Sequence, residues 1–299
     1  MTSWRVQVYG SGSRYWDHWT DGIYSGYRDL AAEAIRADHV RLHQQVAHLR
    51  SSQAFALNLF LPFREGPRAL LSEAVSDLVG CRLRIDRVQF EWVPPGRLLG
   101  EIAGDRPVGD EPATASDVVL WGRMQFQRRV AVLLEVKLSE REFTACGGRT
   151  SRGNRRNDVC RSARLFMHDP NACYLRRPVY QRRDRRYWEI FAGSFESVHK
   201  AFPNADLDGP CPFAYDMQQP MRNLAIARGL EQDGTVRQAW FALCAHDENP
   251  NIARQWAEWR RLLPEPSHAP VFSASEVVRI GEAEGLTGWA TYMRRRYQV

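Results

Sequence analysis

The spacing of hydrophobic and polar residues along the chain alternates between two periods, and each predicts a kind of element. Stretches with apolar residues three or four positions apart predict helices. Stretches in which apolar and polar residues alternate, or in which apolar residues run together between turn residues, predict strands. The predicted helices cover residues 29–50, 54–63, 68–79, 221–230, 251–263, 275–284 and 287–297. The predicted strands cover residues 82–93, 117–126, 129–138 and 236–245.

The order of these elements predicts the fold class. Helices come first, three strands follow, and a helix, a strand and more helices close the chain, which indicates an α/β or α+β fold with a mixed β-sheet flanked by helices. We expect residues 1–50 to form an N-terminal arm and helix packed on the core, and residues 51–250 to form that core. A polar stretch at about 141–211 interrupts the core as an insertion, and residues 251–299 add C-terminal helices to the same domain.

Composition narrows the function classes. The chain has 299 residues, 44% of them hydrophobic, which is enough to bury a sizeable core. Lys137 and Lys200 are the only lysines among 41 basic residues. Neither follows a glycine as a Walker-type phosphate loop requires, so that class of nucleotide-binding protein is excluded. Without a secretory leader or an apolar run of about 20 residues, we expect a cytoplasmic protein with no membrane partner.

The positive charge is concentrated in one stretch. Residues 141–186 contain 13 arginines and four acidic residues, a net charge of +9 in a chain whose total is +6. Clustered guanidinium groups match phosphate oxygens and are typical of nucleic-acid binding, although a solvated surface segment has the same composition. We predict DNA as the partner and leave RNA open. The candidate contacts are Arg149, Arg152, Arg155, Arg156, Arg161, Arg164 and, on a later helix, Arg222.

The candidate chemistry lies in the predicted hairpin. Glu135 and Lys137 are two positions apart and therefore share one face of an otherwise apolar strand. If the turn centres near residues 126–127, Asp117 on the preceding strand falls opposite residues 135–137. Two carboxylates at this spacing suit Mg²⁺ or Mn²⁺, and an adjacent ammonium suits phosphodiester hydrolysis. A surface ion pair is the alternative.

These residues resemble the PD-(D/E)xK nuclease superfamily, which has the restriction-endonuclease-like fold. The pattern appears here as Ser116-Asp117 and Glu135-Val136-Lys137, with Ser116 in place of the nominal proline. The resemblance implies that Asp117 and Glu135 bind a divalent metal and that Lys137 assists the attacking water. Shorter stretches along the chain also resemble uncharacterised bacterial proteins labelled as restriction endonucleases.

The same resemblance implies two further contributions to the site. A further acid is expected, often on an early helix: Glu73 is the first candidate, Glu91 at the end of the first strand its rival, and Glu33 a third. A helix after the lysine strand is expected to present polar residues to the site, and Gln219, Arg222 and Asn223 are available there. Ordinary solvated helix positions are the alternative for all of them.

Four of the six cysteines lie in or beside the arginine-rich stretch. Cys146, Cys160, Cys173 and Cys211 are separated by 13, 12 and 37 residues, without the Cys-x-x-Cys spacing of a zinc ribbon. A four-thiolate zinc or iron–sulfur site would order a segment too polar to make its own core. Unrelated buried or free thiols are the alternative.

Together these features predict a Mg²⁺-dependent nuclease that hydrolyses DNA, an endonuclease of restriction or defence type. Two alternatives remain open: a nucleic-acid-binding protein of the same fold that has lost catalysis, and a metal-stabilised interaction protein. Because enzymes that cut both strands are frequently dimers, a homodimer is a further expectation.

Overall fold

The computed structural model describes residues 14–101, 114–178, 184–192, 197–265 and 269–299. Its strands are β1 (Leu83–Trp92), β2 (Ser116–Met124), β3 (Arg129–Lys137), β4 (Gln238–Ala245) and β5 (Val271–Ser273). Its helices are α1 (Arg28–Ala37), α2 (Ser52–Phe60), α3 (Pro62–Glu65), α4 (Ala69–Val79), α5 (Gly96–Leu99), α6 (Gly147–Thr150), α7 (Asn157–Arg161), α8 (Ala163–His168), α9 (Tyr187–Ala192), α10 (Ser197–Ala201), α11 (Gln218–Gln232), α12 (Pro250–Leu262), α13 (Ala274–Ala283) and α14 (Thr287–Tyr297).

The strands form one mixed sheet in the order β1-β2-β3-β4-β5. β1, β2 and β3 are antiparallel neighbours, whereas β3 with β4 and β4 with β5 are parallel. The predicted mixed sheet flanked by helices is confirmed. β3 lies at its centre, and every residue of this strand after Arg129 is buried, which explains its nearly continuous apolar sequence.

Each face of the sheet has its own hydrophobic core. Val132, Leu134 and Val136 of β3 point into the core formed with α2, α4, α13 and α14. Ala131 and Leu133 point the other way, into the core formed with α11 and α12. Because side chains alternate along a strand, Glu135 and Lys137 follow the second set and face α11.

Helix α2 is buried along most of its length, and one polar side chain fixes its position. Asn58 donates from Nδ2 to the carbonyl oxygen of Gly22 at 2.8 Å and to the hydroxyl of Tyr297 at 3.0 Å. Its Oδ1 accepts the backbone N–H of Tyr24 at 2.8 Å. A buried amide must find such partners. Asn58 therefore joins the N-terminal turns to the last helix of the chain.

Two sequence predictions of elements are corrected. The helix predicted over 29–50 ends at Ala37, because the next two residues leave the helical path. The buried carboxylate of Asp38 accepts hydrogen bonds from Arg64 at 2.5 Å and from the backbone N–H of Phe90 at 3.0 Å, and His39 is left-handed with φ 53°. Strand β5 has only three residues, too few to show a period, and was not predicted.

None of the described helices combines the length and the apolar composition that a membrane span requires.

Candidate active site

The β2–β3 hairpin fixes the relative positions of the candidate acids. Its turn contains Phe126 and Gln127, both with positive φ, and its ladder pairs Val118 with Leu134. One further step along this register places Asp117 opposite Glu135. Side chains opposite each other on one face of a sheet have Cβ atoms about 5 Å apart. The structure therefore brings together two carboxylates that are 18 positions apart in sequence.

Asp117 is held against the neighbouring strand by its own carboxylate. Its Oδ2 accepts the backbone N–H of Val136 at 2.7 Å. Burial raises the pKa of Asp117 well above its usual range, and the charges of Glu135 and Glu91 raise it further, while Lys137 opposes them. A nearby cation would therefore stabilise the ionised form of this carboxyl group.

Glu135 and Lys137 form a buried ion pair that two amides of α11 support. Lys137 Nζ lies 2.8 Å from Glu135 Oε1, and the two side chains are 9% and 1% exposed. Gln219 Nε2 donates to Glu135 Oε1 at 2.6 Å, and Asn223 Nδ2 donates to Glu135 Oε2 at 2.8 Å. Gln219 and Asn223 are one helical turn apart and so share a face. Both Glu135 oxygens are thus held in place.

The environment of Lys137 keeps its side chain protonated. Burial alone would favour the neutral amine, but the charge of Glu135, followed by those of Glu140 and Asp117, outweighs it and raises the pKa of Lys137 above its ordinary value. Its Nζ also donates to Gln219 Oε1 at 3.1 Å. Lys137 is therefore a fixed positive charge at neutral pH, which suits it to stabilise negative charge on phosphate rather than to accept a proton.

Glu91, the rival to Glu73 in the sequence, lies at the site. It precedes Trp92, which pairs with Ser116, so it is beside Asp117. Its φ of 44° departs from strand geometry. Gln53 Nε2 donates to Glu91 Oε1 at 2.9 Å. Burial, with a smaller contribution from the charge of Glu135, raises the pKa of Glu91 to about 7. We call Glu91, Asp117, Glu135 and Lys137 the carboxylate site.

The donor set of the carboxylate site fits a small divalent cation. Its three acids repel one another when ionised, and a single ammonium partly offsets them. In the described ranges no three His, Cys, Asp or Glu side chains are close enough to hold an ion by themselves. Mg²⁺ needs no such cage, because it keeps several waters and takes one or two carboxylates. Asp117 and Glu135 would supply them.

Glu73 is not part of this site. It is an exposed residue of α4, in an open groove with Arg84 and Asp86. The neighbouring Ser72 accepts the N–H of Ile85, which pairs with Gly122. That position is five residues along β2 from Asp117, or about 16 Å at the rise of a strand. The structure thus separates Glu73 from the carboxylates. Glu33, also exposed, has no described contact with them.

Arg222 is also placed differently from the prediction. Its side chain is 15% exposed and its Nη2 lies 3.1 Å from Glu101 Oε1. Its Nε donates to Thr114 Oγ1 at 2.6 Å, and the hydroxyl of Tyr187 donates to the same Glu101 carboxylate. A guanidinium bound in this way is directed into the protein. Arg222 thus connects α11 to the two segments that flank residues 102–113. It does not belong to the group of exposed arginines.

The other candidate arginines divide into three groups. Arg152, Arg155 and Arg161 are exposed, and no described contact pairs them with an acid. Arg156 and Arg164 are exposed but bind Asp158 and Asp208 at 3.0 and 2.6 Å. Arg149 lies over the ring of Tyr215 at 4.4 Å. We call the first three the unpaired arginines.

Two residues that contribute to the site were not predicted. Gln53 orients Glu91, and its only sequence signal is an amide just before an apolar helix. Glu140 caps the end of β3, where its Oε2 accepts the N–H groups of Leu138 at 2.8 Å and Ser139 at 2.9 Å. Its charge acts on both Lys137 and Glu135. Glu140 lies three positions after the end of β3 at Lys137, and this position is its only signal in the sequence.

The four cysteines that lie in or beside the arginine-rich stretch are also close to one another in the fold. The thiol of Cys211 is influenced electrostatically by those of Cys173, Cys146 and Cys160. None of the four is in a disulfide, nor are the other two cysteines of the chain, all of which lie in described segments. We call Cys146, Cys160, Cys173 and Cys211 the cysteine cluster.

Comparison with known proteins gives one match. The model of a family described as Restriction Endonuclease associating with ARP matches residues 7–298. No curated protein matches the chain, and no solved structure matches it.

Proposed function

Because the chain belongs to the family described as Restriction Endonuclease associating with ARP, we propose that it is a nuclease that hydrolyses DNA with Mg²⁺ or Mn²⁺. We further propose that it cuts as an endonuclease, in restriction or defence. The observation that carries this proposal is the convergence of Asp117, Glu135 and Lys137 at one end of the central strands. Family membership alone supports a nuclease role, and the geometry supports the metal-dependent chemistry.

Each side chain of the carboxylate site has a distinct task in this proposal. Asp117 and Glu135 would hold the cation, and the N–H of Val136 and the amide of Asn223 keep the two carboxylates in position. Lys137 Nζ supplies a fixed positive charge where the phosphate gains negative charge in the transition state. A bound Mg²⁺ supplies Lewis acidity and lowers the pKa of bound water.

The protein surface near this site supports a polyanionic substrate. The arginine-rich stretch begins immediately after β3, and Thr144 Oγ1 lies 3.4 Å from Gln219 Oε1 of the site. The unpaired arginines and the Arg149–Tyr215 pair provide charge and an exposed ring. Contacts of this kind bind phosphate without regard to sequence and weaken as salt rises.

The test is cleavage of supercoiled and linear DNA by the purified full chain with Mg²⁺, Mn²⁺ or a chelator. We expect metal-dependent nicking or linearisation of the circle, which an exonuclease cannot produce, and loss of cleavage in Asp117→Asn. Glu73→Gln is the matched control, because it neutralises an acid about 16 Å along the sheet. Equal cleavage by Asp117→Asn and the parent would overturn the proposal.

Binding measurements separate the alternatives. Salt-sensitive DNA binding with no cleavage in any metal would identify a binding protein of the same fold. Failure to bind DNA or RNA at low salt would favour an interaction protein. RNA substrates tested in parallel decide the nucleic acid, and light scattering with and without DNA tests for the homodimer.

A further inference from the structure

The cysteine cluster is drawn from four separate segments of the chain. Cys146 precedes α6, Cys160 lies in α7, Cys173 follows the turn Pro170–Ala172, and Cys211 lies before α11. Cys146, Cys160 and Cys211 are buried, and Cys173 is half-buried. Side chains with such different sequence positions meet only where the fold brings their backbones together.

Backbone hydrogen bonds tie these segments to one another. The N–H of Cys211 donates to the carbonyl oxygen of Cys160 at 3.2 Å, and the N–H of Cys146 donates to that of Ala214 at 3.3 Å. Asn154 Nδ2 lies 3.5 Å from Cys160 Sγ and donates to the carbonyl oxygen of Gly148 at 2.9 Å. Three of the four cysteine segments are therefore joined directly.

The fourth segment meets the others at Gly148. A Cβ atom placed on Gly148 would lie 3.4 Å from Cys146 Sγ and 3.2 Å from the ring of Tyr174, the residue after Cys173. The Tyr174 hydroxyl also accepts from Ser151 Oγ at 2.9 Å. Gly148 thus lies between Cys146 and the residue that follows Cys173, and little space is left between these two segments.

The thiols influence one another through space. Burial, followed by the proximity of Cys146, raises the pKa of Cys173 to about 12. Burial followed by the proximity of the other three raises the pKa of Cys211. A thiophilic metal binds the thiolate form of cysteine and displaces its proton.

We propose that the cysteine cluster holds one thiophilic metal centre, a zinc ion or an iron–sulfur cluster, through four thiolates. In the described segments no three His, Cys, Asp or Glu side chains are close enough to hold an ion, so the four thiols must draw together when the metal binds. The joined backbones nonetheless give the number and type of ligands that both centres use. Each coordinating thiol releases its proton to solvent, so binding strengthens as pH rises. This proposal does not depend on the nuclease activity.

The position of the cluster gives the centre a role. The unpaired arginines and Arg149 all lie between Cys146 and Cys173 in sequence. The helices in this stretch, α6, α7 and α8, have four to six residues each. Helices this short are not stable alone. A metal centre would hold the arginine-bearing backbone in place beside the carboxylate site.

The first test is metal content of the full chain, purified without oxygen or chelator. Mass spectrometry of metals, labile sulfide and visible absorbance identify the centre. We expect about one zinc per chain, or iron with sulfide and a visible band. Either result supports the four-thiolate site. If zinc and iron are each below about a tenth of one equivalent per chain, the proposal is overturned.

Substitutions assign the ligands. Cys173→Ser and Cys211→Ser should each lower metal content at least about tenfold, because a serine hydroxyl is a poor ligand for either centre. Cys81→Ser is the matched control, since Cys81 is half-buried and belongs to the other core. Equal loss in the control, or no loss in the cluster variants, would contradict the assignment.

A third measurement, limited proteolysis, uses the parent protein and so does not depend on whether a cysteine variant folds. The parent protein is stripped of metal with a mercurial reagent, reduced, and digested briefly with trypsin, with and without added metal. We expect cleavage at arginines within 141–211 to increase at least about fivefold on stripping and to reverse on reloading. An unchanged digestion pattern after complete removal would overturn the proposed role. Asp117→Asn should retain the metal, so failure of the nuclease proposal and failure of this one are distinguishable.

Discussion

The carboxylate site and the cysteine cluster both gather buried polar side chains, and they do so by different means. At the carboxylate site, adjacent strands fix the neighbours, so Asp117 and Glu135 meet because the hairpin has one register. At the cysteine cluster, loops and short helices meet through single hydrogen bonds such as that from Cys211 to Cys160. Strand pairing enforces proximity through many bonds at once, whereas joined loops need a further ligand to become rigid.

The largest effect that would test this contrast is expected from the lysine of β3. Lys137→Ala removes the only positive charge in the carboxylate site and leaves Glu135 buried without its ion partner. We expect DNA cleavage to fall about 10²–10³-fold, the usual cost of losing one preorganised charge-stabilising group. Single-turnover cleavage rates provide the measurement.

Lys200→Ala is the matched control for that experiment. Lys200 is the other lysine of the chain and is exposed on α10. Its loss should leave the rate within about twofold, because exposed charges remote from a site contribute little. If both alanine variants cleave at the parental rate, Lys137 has no part in the reaction.

The carboxylate site was predictable to the extent that local rules determine it. Alternation placed Glu135 and Lys137 on one face, and the turn near Phe126 placed Asp117 opposite them. Both rules operate within two neighbouring strands, so no tertiary information was needed. Choosing Glu91 over Glu73 as the third acid required tertiary information. Glu91 itself has a positive φ, and this backbone conformation cannot be read from side-chain periodicity.

The limits of prediction elsewhere have the same physical origin. The helix over 29–50 was extended too far because Asp38 looks like a solvated helix residue in sequence, whereas in the fold it binds Arg64 and Arg87. Arg222 was predicted to contact nucleic acid or the site, because its contact with Glu101 cannot be read from the sequence. In each case a partner more than 25 positions away decides the conformation.

A second prediction concerns pH and uses the acids of the carboxylate site. In the metal-free folded chain the pKa of Glu91 is raised from 4.5 to about 7. Between these values the folded state holds a proton that the unfolded chain has released, so stability should fall as pH rises through this window. The part of this loss that comes from Glu91 should be about 3 kcal/mol at most, and urea unfolding at pH 5 and pH 8 measures the total.

Two additions sharpen the pH experiment. Mg²⁺ at pH 8 should restore stability to the parent, because a cation replaces the lost proton. Glu91→Gln should weaken the fall of stability with pH, because its amide does not titrate, and the part that remains belongs to Asp117, whose pKa is also raised. A profile in the parent that rises with pH across this window would contradict the raised pKa of Glu91.

A third prediction separates positioning from chemistry. Asn223→Ala removes the donor to Glu135 Oε2 without altering any charge. We expect the free energy of unfolding to fall by about 1–3 kcal/mol, the cost of leaving a buried acceptor unpaired, and cleavage to fall about tenfold at saturating DNA. Glutamine at this position, which keeps an amide, should recover part of the rate.

Gln232→Ala is the control on the same helix. Gln232 is exposed at the end of α11 and donates to the carbonyl oxygen of Ile190. Its removal should cost less than about 1 kcal/mol and leave cleavage unchanged. If both variants lower the rate equally, the effect of Asn223 arises from α11 as a whole and not from its contact with Glu135.

The smallest effects per residue are expected in the arginine-rich stretch, and salt dependence makes them visible. Each phosphate contact contributes about 0.9 to the slope of log binding constant against log salt. Substituting Arg152, Arg155 and Arg161 with alanine should therefore lower the magnitude of this salt slope by up to about 3. Substituting Arg156 and Arg164 should lower the slope by less per residue than substituting the unpaired arginines, because each already binds an acid. Fluorescence anisotropy with Asp117→Asn, which we expect to bind DNA without cleaving it, gives the slopes. If the slope changes equally per residue in both sets, the ion pairs of Arg156 and Arg164 open when DNA binds. The arginine-rich stretch would then rearrange on binding, in contrast to the carboxylate site, whose geometry the strand pairing fixes.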